Sequence, residues 1–408
     1  MSSSWVDVTL GDVLTLQRGF DLPQSERRDG PFPVIASTGE VGRHNEAKVA
    51  APGVVIGRSG SLGGGQYVQE DYWPLNTTLW VKDFKGNDPR FCYYLIKSLD
   101  FSSYNAGSGV PTLNRNHIHP LPVRIPSDTE EQRAIAEVLG VLDDKIELNE
   151  RINTTLDEMA RTLFKSWFVD FDPVRAKAEG RQPSHMDAAT AALFPASFED
   201  SPLGPIPAGW RVEAIGNLSE VNGWTLGKND ELETIDYIEI SEVSRGNIGS
   251  IQRYQRGTEP SRARRRLRHG DTALSTVRPD RGAYFLALNP SPTAIASTGF
   301  AVLSPSTAPW SYVHAAMTQE DVFERLGHLA DGAAYPAVRP DVVAQTPVVW
   351  GGEEVGDAFH RQIAPLYELA AHNREESGTL AELRDTLLPR LISGEIRVEA
   401  STGIGRAC

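Results

Sequence analysis

The sequence of 408 residues contains only two cysteines, Cys92 and Cys408, and no apolar run near the ~18 residues of a membrane span. Two thiols exclude a disulfide-stapled fold and favour a reducing, cytoplasmic location. The N-terminus lacks a basic segment followed by an apolar run, so we expect no secretory signal. Positive charge is also scarce, because 40 Lys and Arg face 54 Asp and Glu for a formal charge of −14. That balance argues against a protein that coats nucleic acid non-specifically.

Motifs of several enzyme classes are missing as well. The glycines spaced three apart at 57–63 are not followed by the helix-forming run of a dinucleotide-binding fingerprint. The segment GWTLGKN at 223–229 is one residue short of a phosphate-binding loop and lacks its Ser or Thr. His117 and His119 have no obvious third metal ligand, and no Asn/Asp-Pro-Pro-aromatic motif of amino-methyltransferases occurs. We therefore predict no metal site, no bound cofactor and no catalysis by the chain itself.

The charge that is present is segregated along the chain. Residues 245–281 contain ten arginines and no lysine against three acidic residues, a local charge of +7. Residues 128–172 contain five basic and twelve acidic residues, a local charge of −7. The first stretch suits a phosphate backbone, whereas the second suits a protein partner or a solvated helix face.

Two long segments, 127–168 and 359–396, share one apolar periodicity. Ser127 and Glu130 form a predicted capping box at the start of the first segment. Apolar residues then recur at alternating spacings of four and three, which is a heptad seam interrupted by asparagine. The seam comprises Leu139, Leu142, Ile146, Asn149, Asn153, Leu156 and Leu163 in the first segment, and Ile363, Leu366, Asn373, Leu380, Leu387 and Leu391 in the second.

The two seams are related by a constant offset of 224 residues, which places Asn149 opposite Asn373 in an alignment of the copies. One such stripe alone would indicate an amphipathic helix on a core. Two long copies favour burial against each other as a coiled coil, where a buried Asn fixes register at some cost in stability.

The regions before the two long segments also resemble each other. Each opens with a Trp and a Gly six residues apart, Trp5 with Gly11 and Trp210 with Gly216, at strand-like alternation. Each later contains a Gly-led apolar run and an x-Pro turn before a short strand. At this length more than one domain is expected. The predicted organisation is a first β-rich domain at 1–126, a long helix at 127–172, a linker at 173–207, a second β-rich domain at 208–347, and a second long helix with a tail at 348–408.

The linker is rich in Pro, Ala and Ser. We expect it to be mostly connecting chain, with a short helix at 186–194.

This order of parts resembles the specificity subunit of a type I restriction–modification system over nearly the full length. The motifs that carry the resemblance are GVVIGRSGSLGG, RRRLRHGDTALSTVRP, DTEEQRAIAEVLGVLDDKIELN and NREESGTLAELRDTLLPRLISGEI. The resemblance implies an α+β fold with a pseudo-twofold internal repeat, in which two β-rich target-recognition domains are each followed by a long helix. It implies that the helices pair as an antiparallel coiled coil.

The resemblance also implies a function. Each recognition domain would read one half of a split, asymmetric DNA site, and the helices would set the half-site spacing. They would dock two methyltransferase subunits, and motor-nuclease subunits could join the assembly. The chain would be non-catalytic, with S-adenosylmethionine bound by the methyltransferase partner. The alternative is a non-enzymatic protein scaffold whose basic patch binds RNA or acidic proteins.

Candidate DNA contacts in the second domain are its arginines, because the guanidinium fork matches phosphate and the O6 and N7 edge of guanine. We expect most of them to contact phosphates. The alternative is a solvated cluster or internal ion pairs. The candidates are Arg253, Arg256, Arg262, Arg264, Arg265, Arg266, Arg268, Arg278 and Arg281.

Candidates in the first domain surround two loops. The Gly-rich segment 57–65 could present backbone N–H groups to a phosphate, or it could be a tight strand connection. The polar segment 112–120 could read bases or consist of ordinary loop residues. The candidates are Arg18, Arg43, Arg58, Ser59, Ser61, Arg115, Asn116 and His117.

Overall fold

The computed structural model describes residues 4–105, 109–227, 230–332 and 335–398. Cys408, and Lys228 of the segment GWTLGKN, lie outside these residues. The chain forms two compact units, unit 1 with Met1–Leu148 and Glu375–Cys408, and unit 2 with Asn149–Arg374. Among the described residues no helix is both long and apolar enough to cross a membrane.

Unit 1 combines short strands with short helices ahead of a long one. The strands are β1 (Trp5–Thr9), β2 (Thr15–Arg18), β3 (Phe32–Ala36), β4 (Gly39–His44), β5 (Gly53–Gly57), β6 (Gly63–Val68), β7 (Trp73–Pro74), β8 (Thr78–Asp83) and β9 (Pro122–Pro126). The helices are α1 (Leu10–Val13), α2 (Pro89–Lys97), α3 (Arg115–Ile118) and the first half of α4 (Thr129–Phe168).

The central sheet of unit 1 has the strand order β2-β8-β5-β6 and is antiparallel, and a second sheet has the order β4-β3-β7. Strand β5 is buried along its whole length, so it is the centre of the domain. Helix α2 begins because Asp88 accepts a hydrogen bond from Phe91 N and Pro89 occupies its first turn. Its apolar face joins the core that β5, β8 and the start of α4 share.

Unit 2 contains the larger set of elements. Its strands are β10 (Phe198–Glu199), β11 (Ile206–Pro207), β12 (Arg211–Ala214), β13 (Ser219–Val221), β14 (Thr234–Ile238), β15 (Val243–Ser244), β16 (Asn247–Ile248), β17 (Gln252–Gln255), β18 (Ala263–Arg266), β19 (Asp271–Ser275), β20 (Tyr284–Ala287), β21 (Ala294–Ser297), β22 (Phe300–Pro305) and β23 (Pro347–Trp350). Its helices are α5 (Asp172–Ala178), α6 (Ala188–Ala192), α7 (Ile215–Leu218), α8 (Trp310–Met317), α9 (Glu320–His328), α10 (Pro340–Ala344) and the first half of α11 (Glu353–Ile392).

Two four-stranded sheets organise unit 2, with the orders β13-β22-β19-β20 and β17-β14-β21-β18. Strand β19 is fully buried, as β5 is in unit 1. The four-residue strand β18 carries three consecutive arginines, Arg264, Arg265 and Arg266, at the edge of the second sheet.

The two units repeat the same opening and closing pair of strands. In unit 1, β1 pairs antiparallel with β9, and in unit 2, β12 pairs antiparallel with β23. A Cβ added to Gly11 would lie 3.2 Å from His119 Cβ, and one added to Gly216 would lie 3.1 Å from Ala344 Cβ. Both glycines therefore permit the same close approach of a short helix to the segment before the last strand. The boundary predicted between residues 347 and 348 falls inside β23, because this pairing with β12 continues to Trp350.

The linker at 173–207 is folded, so the expectation of mostly connecting chain is wrong. It contains α5, α6, β10 and β11, and the predicted helix at 186–194 corresponds to α6. Val174, Phe194 and Ile206 are buried in the core of unit 2, and the Phe194 ring meets that of Trp167 at 4.9 Å. The few large apolar residues of this Ala- and Pro-rich segment hold it in place.

The start of α4 also differs from expectation. Asp128 rather than Ser127 caps the helix, since its Oδ1 accepts a hydrogen bond from Glu130 N at 3.0 Å. The Ser127 hydroxyl lies instead 3.0 Å from that of Ser4.

The two long helices pair within each unit. In unit 2, Asn149 Nδ2 donates to Asn373 O at 3.3 Å, and Asn153 Nδ2 donates to Ala370 O at 3.1 Å. Asn373 Nδ2 donates to Asn153 Oδ1 at 2.9 Å. The partner number falls as the residue number rises, so the helices run antiparallel here.

In unit 1 the same direction holds, with Asp143 bonded to Arg384 at 2.7 Å and Lys145 paired with Glu376 at 3.0 Å. Every residue of the predicted seams is buried or half-buried. The predicted fold class, two β-rich domains with two long helices in antiparallel pairing, is confirmed.

Candidate nucleic-acid interface

Each unit builds a loop directly after its buried central strand. In unit 1 this loop follows β5 and is held by a Pro-containing segment, Pro loop 1 (residues 109–113). Leu113 N donates to Arg58 O at 2.8 Å, and Gly60 N donates to Pro111 O at 3.0 Å. Gly60 has φ +87°, a left-handed conformation that glycine adopts without steric cost.

Unit 2 forms the same arrangement after β19 with Pro loop 2 (residues 335–338). Val338 N donates to Thr276 O at 2.9 Å, and Arg278 N donates to Pro336 O at 2.7 Å. Arg278 takes the place of Gly60 and is also left-handed, with φ +47°. The backbone frame is therefore repeated while its side chains differ.

Four of the candidate arginines of unit 2 are engaged in internal ion pairs of 3.7 Å or less. Arg253 Nε lies 2.7 Å from Asp236 Oδ1 across the β14–β17 pair, and Arg266 Nη1 lies 2.7 Å from Asp230 Oδ1. Arg256 and Arg264 both pair with the buried carboxylate of Glu259. For these four the internal ion-pair alternative describes the geometry, because their charge is already partly balanced.

Trp224 packs against two arginines at the C-terminal end of β18. The guanidinium carbon of Arg266 lies 4.1 Å from the indole centroid and that of Arg268 lies 4.9 Å from it. Cation–π attraction of this kind orients a guanidinium without neutralising it. Arg268 is exposed and approaches Glu220 only to 3.9 Å.

Three other arginines carry charge that the described residues leave uncompensated. Arg262 and Arg281 are exposed, and their side chains make no hydrogen bond or ion pair with any described residue. Arg265 is half-buried, and its Nε has no hydrogen-bond partner among the described residues. Desolvation lowers the pKa of Arg265, as expected for a guanidinium that lacks a counter-charge. These side chains can accept an anion without breaking an existing pair.

Arg278 contacts an aromatic ring. Its guanidinium carbon lies 5.2 Å from the ring centroid of Tyr335 in Pro loop 2. The Tyr335 side chain is 74% exposed.

Most candidate residues of the first domain form ion pairs or hydrogen bonds with neighbouring residues. Arg18 lies 3.4 Å from Asp21, and Arg43 bonds both Glu40 and Glu70. Arg58 Nη1 donates to Asn76 O at 3.0 Å.

Two N–H groups of the Gly-rich segment 57–65, those of Arg58 and Ser59, are not available to bind an anion. Arg58 N and Ser59 N both donate to Thr77 O, at 2.9 and 3.1 Å. The tight strand connection that was the alternative describes this part of the segment. Ser61 is exposed.

Helix α3 holds the remaining candidates on the domain surface. Asn114 caps the helix by accepting from Asn116 N at 3.0 Å, and Arg115 Nη1 donates to Leu16 O at 3.4 Å. Asn116 and His117 are exposed.

Sequence reasoning missed Trp224 and the two loop-tip residues Val110 and Tyr335. Val110 and Tyr335 could have been identified in the sequence as the large apolar residues directly before the Pro of each x-Pro turn. Among the described residues, no cluster of three or more His, Cys, Asp or Glu side chains is placed to hold a metal ion.

Comparison with known proteins decides between the two hypotheses. Residues 2–158 match the family model of the type I restriction modification DNA specificity domain. The type I restriction enzyme HindI specificity subunit of Haemophilus influenzae is 24% identical, over 97% of this chain and 100% of its own. Residues 2–158 therefore carry a type I restriction modification DNA specificity domain, and the chain as a whole resembles type I specificity subunits.

Further relatives agree with this assignment. The MjaIX specificity subunit of Methanocaldococcus jannaschii is 22% identical to this chain, over 80% of the chain and 74% of its own length. The crystal structure of a type I S subunit from M. genitalium has the same fold, with a TM-score of 0.59, 17% identity and 96% coverage of each chain. None of these comparisons supports the alternative of a protein scaffold for RNA or acidic proteins.

Proposed function

We propose that this chain is a type I specificity subunit that binds double-stranded DNA through its two β-rich domains, each reading one half of a split, asymmetric site. The observation that carries the proposal is the loop frame repeated after β5 and β19. Its hydrogen bonds are equivalent, yet Gly60 and Val110 of one copy correspond to Arg278 and Tyr335 of the other. Equivalent frames with different side chains favour two half-sites of different sequence.

In the second domain the proposed phosphate contacts are Arg262, Arg265 and Arg281, with Arg268 beside Trp224. Arg262, Arg265 and Arg281 have no carboxylate partner among the described residues, and Arg268 has only Glu220 at 3.9 Å, so binding DNA breaks no strong internal pair. The ion-paired arginines Arg253, Arg256, Arg264 and Arg266 contribute less, because each would have to share or exchange its partner.

The paired helices are proposed to set the half-site spacing and to dock two methyltransferase subunits, with motor-nuclease subunits joining a restriction complex. Two-fold symmetric readers contact half-sites about one helical turn, ~34 Å, apart. The acidic stretch 128–172 supports a protein neighbour there, since it would repel DNA.

The chain is proposed to be non-catalytic and to work in the cytoplasm, in host defence and DNA methylation. The missing amino-methyltransferase motif supports this division of labour. Base flipping, S-adenosylmethionine binding and methyl transfer then belong to the methyltransferase partner.

Methylome sequencing of the host with and without this chain tests the proposal. We expect deletion to remove methylation from one split, asymmetric motif, and an unchanged methylome would contradict it. Exchange of residues 208–350 for those of a relative, which keeps the β12–β23 pair intact, should change one half-site only. A change in both half-sites would refute the two-domain assignment.

A further inference from the structure

Tyr335 stands out on the surface of unit 2. At 74% it has the highest exposure of the large apolar side chains in the described ranges, and it lies at the tip of Pro loop 2. An aromatic ring left in water at a loop tip gains free energy when a partner surface covers it, and its flat face suits stacking.

The ring is held by a residue in an unfavourable backbone conformation. Arg278 has φ +47°, where side chains other than Gly, Asn and Asp are rare because Cβ meets the backbone. The equivalent residue of unit 1 is Gly60, which takes up the same conformation without that cost. Retention of strain at one position and not at its counterpart points to a use for the Arg278 side chain.

The contact between these two side chains explains that use. The Arg278 guanidinium lies 5.2 Å from the Tyr335 centroid, and Arg278 N donates to Pro336 O. A backbone bridge between Val277 and Ala337 fixes the loop on the other side of the Pro. These contacts fix the backbone of the loop and place the guanidinium beside the ring, which lowers the entropy lost on binding.

The first domain presents an apolar tip at the same position. Val110 precedes Pro111 as Tyr335 precedes Pro336, and it is 59% exposed. Two loops built alike in two units each expose an apolar side chain, but the two side chains differ in size and shape.

We propose that Tyr335 packs against bases in the half-site read by the second domain, with Arg278 as its positioning residue, and that Val110 makes the smaller equivalent contact in the other half-site. This inference rests on the proposed function. Aromatic and aliphatic side chains pack on or between base steps, and an adjacent arginine faces the same duplex.

The test uses the complete complex of this chain with its co-expressed methyltransferase subunits. Methylation rates are measured on duplexes carrying the methylated motif and on a set substituted at each position. In parallel, 2-aminopurine placed in each half-site reports base stacking by fluorescence. We expect Tyr335→Ala to weaken binding about tenfold, to reduce discrimination at positions in one half-site, and to change 2-aminopurine fluorescence there alone.

Arg278→Gly separates positioning from folding, because it installs the residue of the first domain and relieves the left-handed strain. We expect the melting temperature not to fall while discrimination in the same half-site is reduced. Tyr335→Val, the tip residue of the first domain, should retain binding better than Tyr335→Ala. Val110→Ala should affect only the other half-site. Leu203→Ala serves as the control, because it shortens an apolar side chain of unit 2 that is 51% exposed. It should alter discrimination in neither half-site.

The result that overturns the inference is unchanged discrimination in both Tyr335→Ala and Arg278→Gly while the wild-type complex reads its motif. The proposed function would survive that result. Failure of the wild-type complex to bind any methylated motif would instead overturn the proposed function.

Discussion

The asparagine cluster between the two long helices allows a quantitative prediction. Asn373 Nδ2 donates to Asn153 Oδ1 at 2.9 Å, and both side chains are buried. Asn373→Ala removes this donor and leaves the Asn153 oxygen buried without it. A buried polar atom deprived of its partner costs about 1–3 kcal/mol, so we expect helix pairing in unit 2 to weaken by about 2 kcal/mol.

Native-state hydrogen exchange measures this loss locally. Backbone amides of α4 around residues 149–157 exchange through opening of the helix pair, and about 2 kcal/mol corresponds to about thirtyfold faster exchange. Thr154→Ala is the matched control. Its hydroxyl bonds only Glu150 O of the same helix, and Ala has the higher helix propensity, so protection should not fall.

A double-mutant cycle completes the test. Asn153→Ala removes the oxygen that Asn373→Ala leaves unsatisfied, so the double variant should lose less than the sum of the single losses, by about 1 kcal/mol. Equal exchange in Asn373→Ala and wild type, or strict additivity in the cycle, would refute this account of the cluster.

Three further changes have distinct expected outcomes. In salt titrations, Arg265→Gln should weaken DNA binding and lower the slope of log affinity against log salt by about 1. Arg253→Gln removes an arginine that is already paired with Asp236, so it should leave the slope unchanged. Gly57→Ala would place a Cβ 2.0 Å from Ser61 O and should destabilise the loop after β5 by about 2 kcal/mol in denaturant melts, while Gly109→Ala, which meets no atom within 4 Å, should be neutral. Burial lowers the pKa of His314 to about 3 from 6.5, so unit 2 should lose stability as the pH falls from about 6.5 toward 3, and His314→Phe should flatten that loss in melts at pH 7 and pH 5.

Periodicity was the most informative property of the sequence. The offset of 224 residues identified both long helices, because a heptad pattern depends only on local helix geometry. No residue of the predicted seams is exposed. The prediction of a linker of mostly connecting chain was wrong because it relied on composition. Its composition indicates loop, but Val174, Phe194 and Ile206 are buried in the core of unit 2 by tertiary contacts that composition does not encode.

The arginine cluster shows the same limit. Ten arginines in one stretch predict a basic surface, yet several of the side chains that pair with them come from elsewhere in the chain. Asp236 reaches Arg253 through the register of β14 and β17, and Trp224 meets Arg266 from some 40 residues away. Which guanidinium groups keep uncompensated charge therefore depends on strand pairing as well as on local neighbours such as Glu259.

On the proposed function, a division of labour between backbone and side chains lets one frame serve two different half-sites. The hydrogen bonds from Leu113 N to Arg58 O and from Val338 N to Thr276 O use backbone atoms only, so they place no demand on the side chains of the loop tip. The tips are exposed, so exchanging Val110 for another side chain removes no buried contact. Target preference can then change at the tips without loss of stability in the sheets that carry them. An exception is Arg278, because its left-handed backbone is costly for an arginine. On the inference drawn above, the contribution of the Arg278 side chain to recognition offsets that cost.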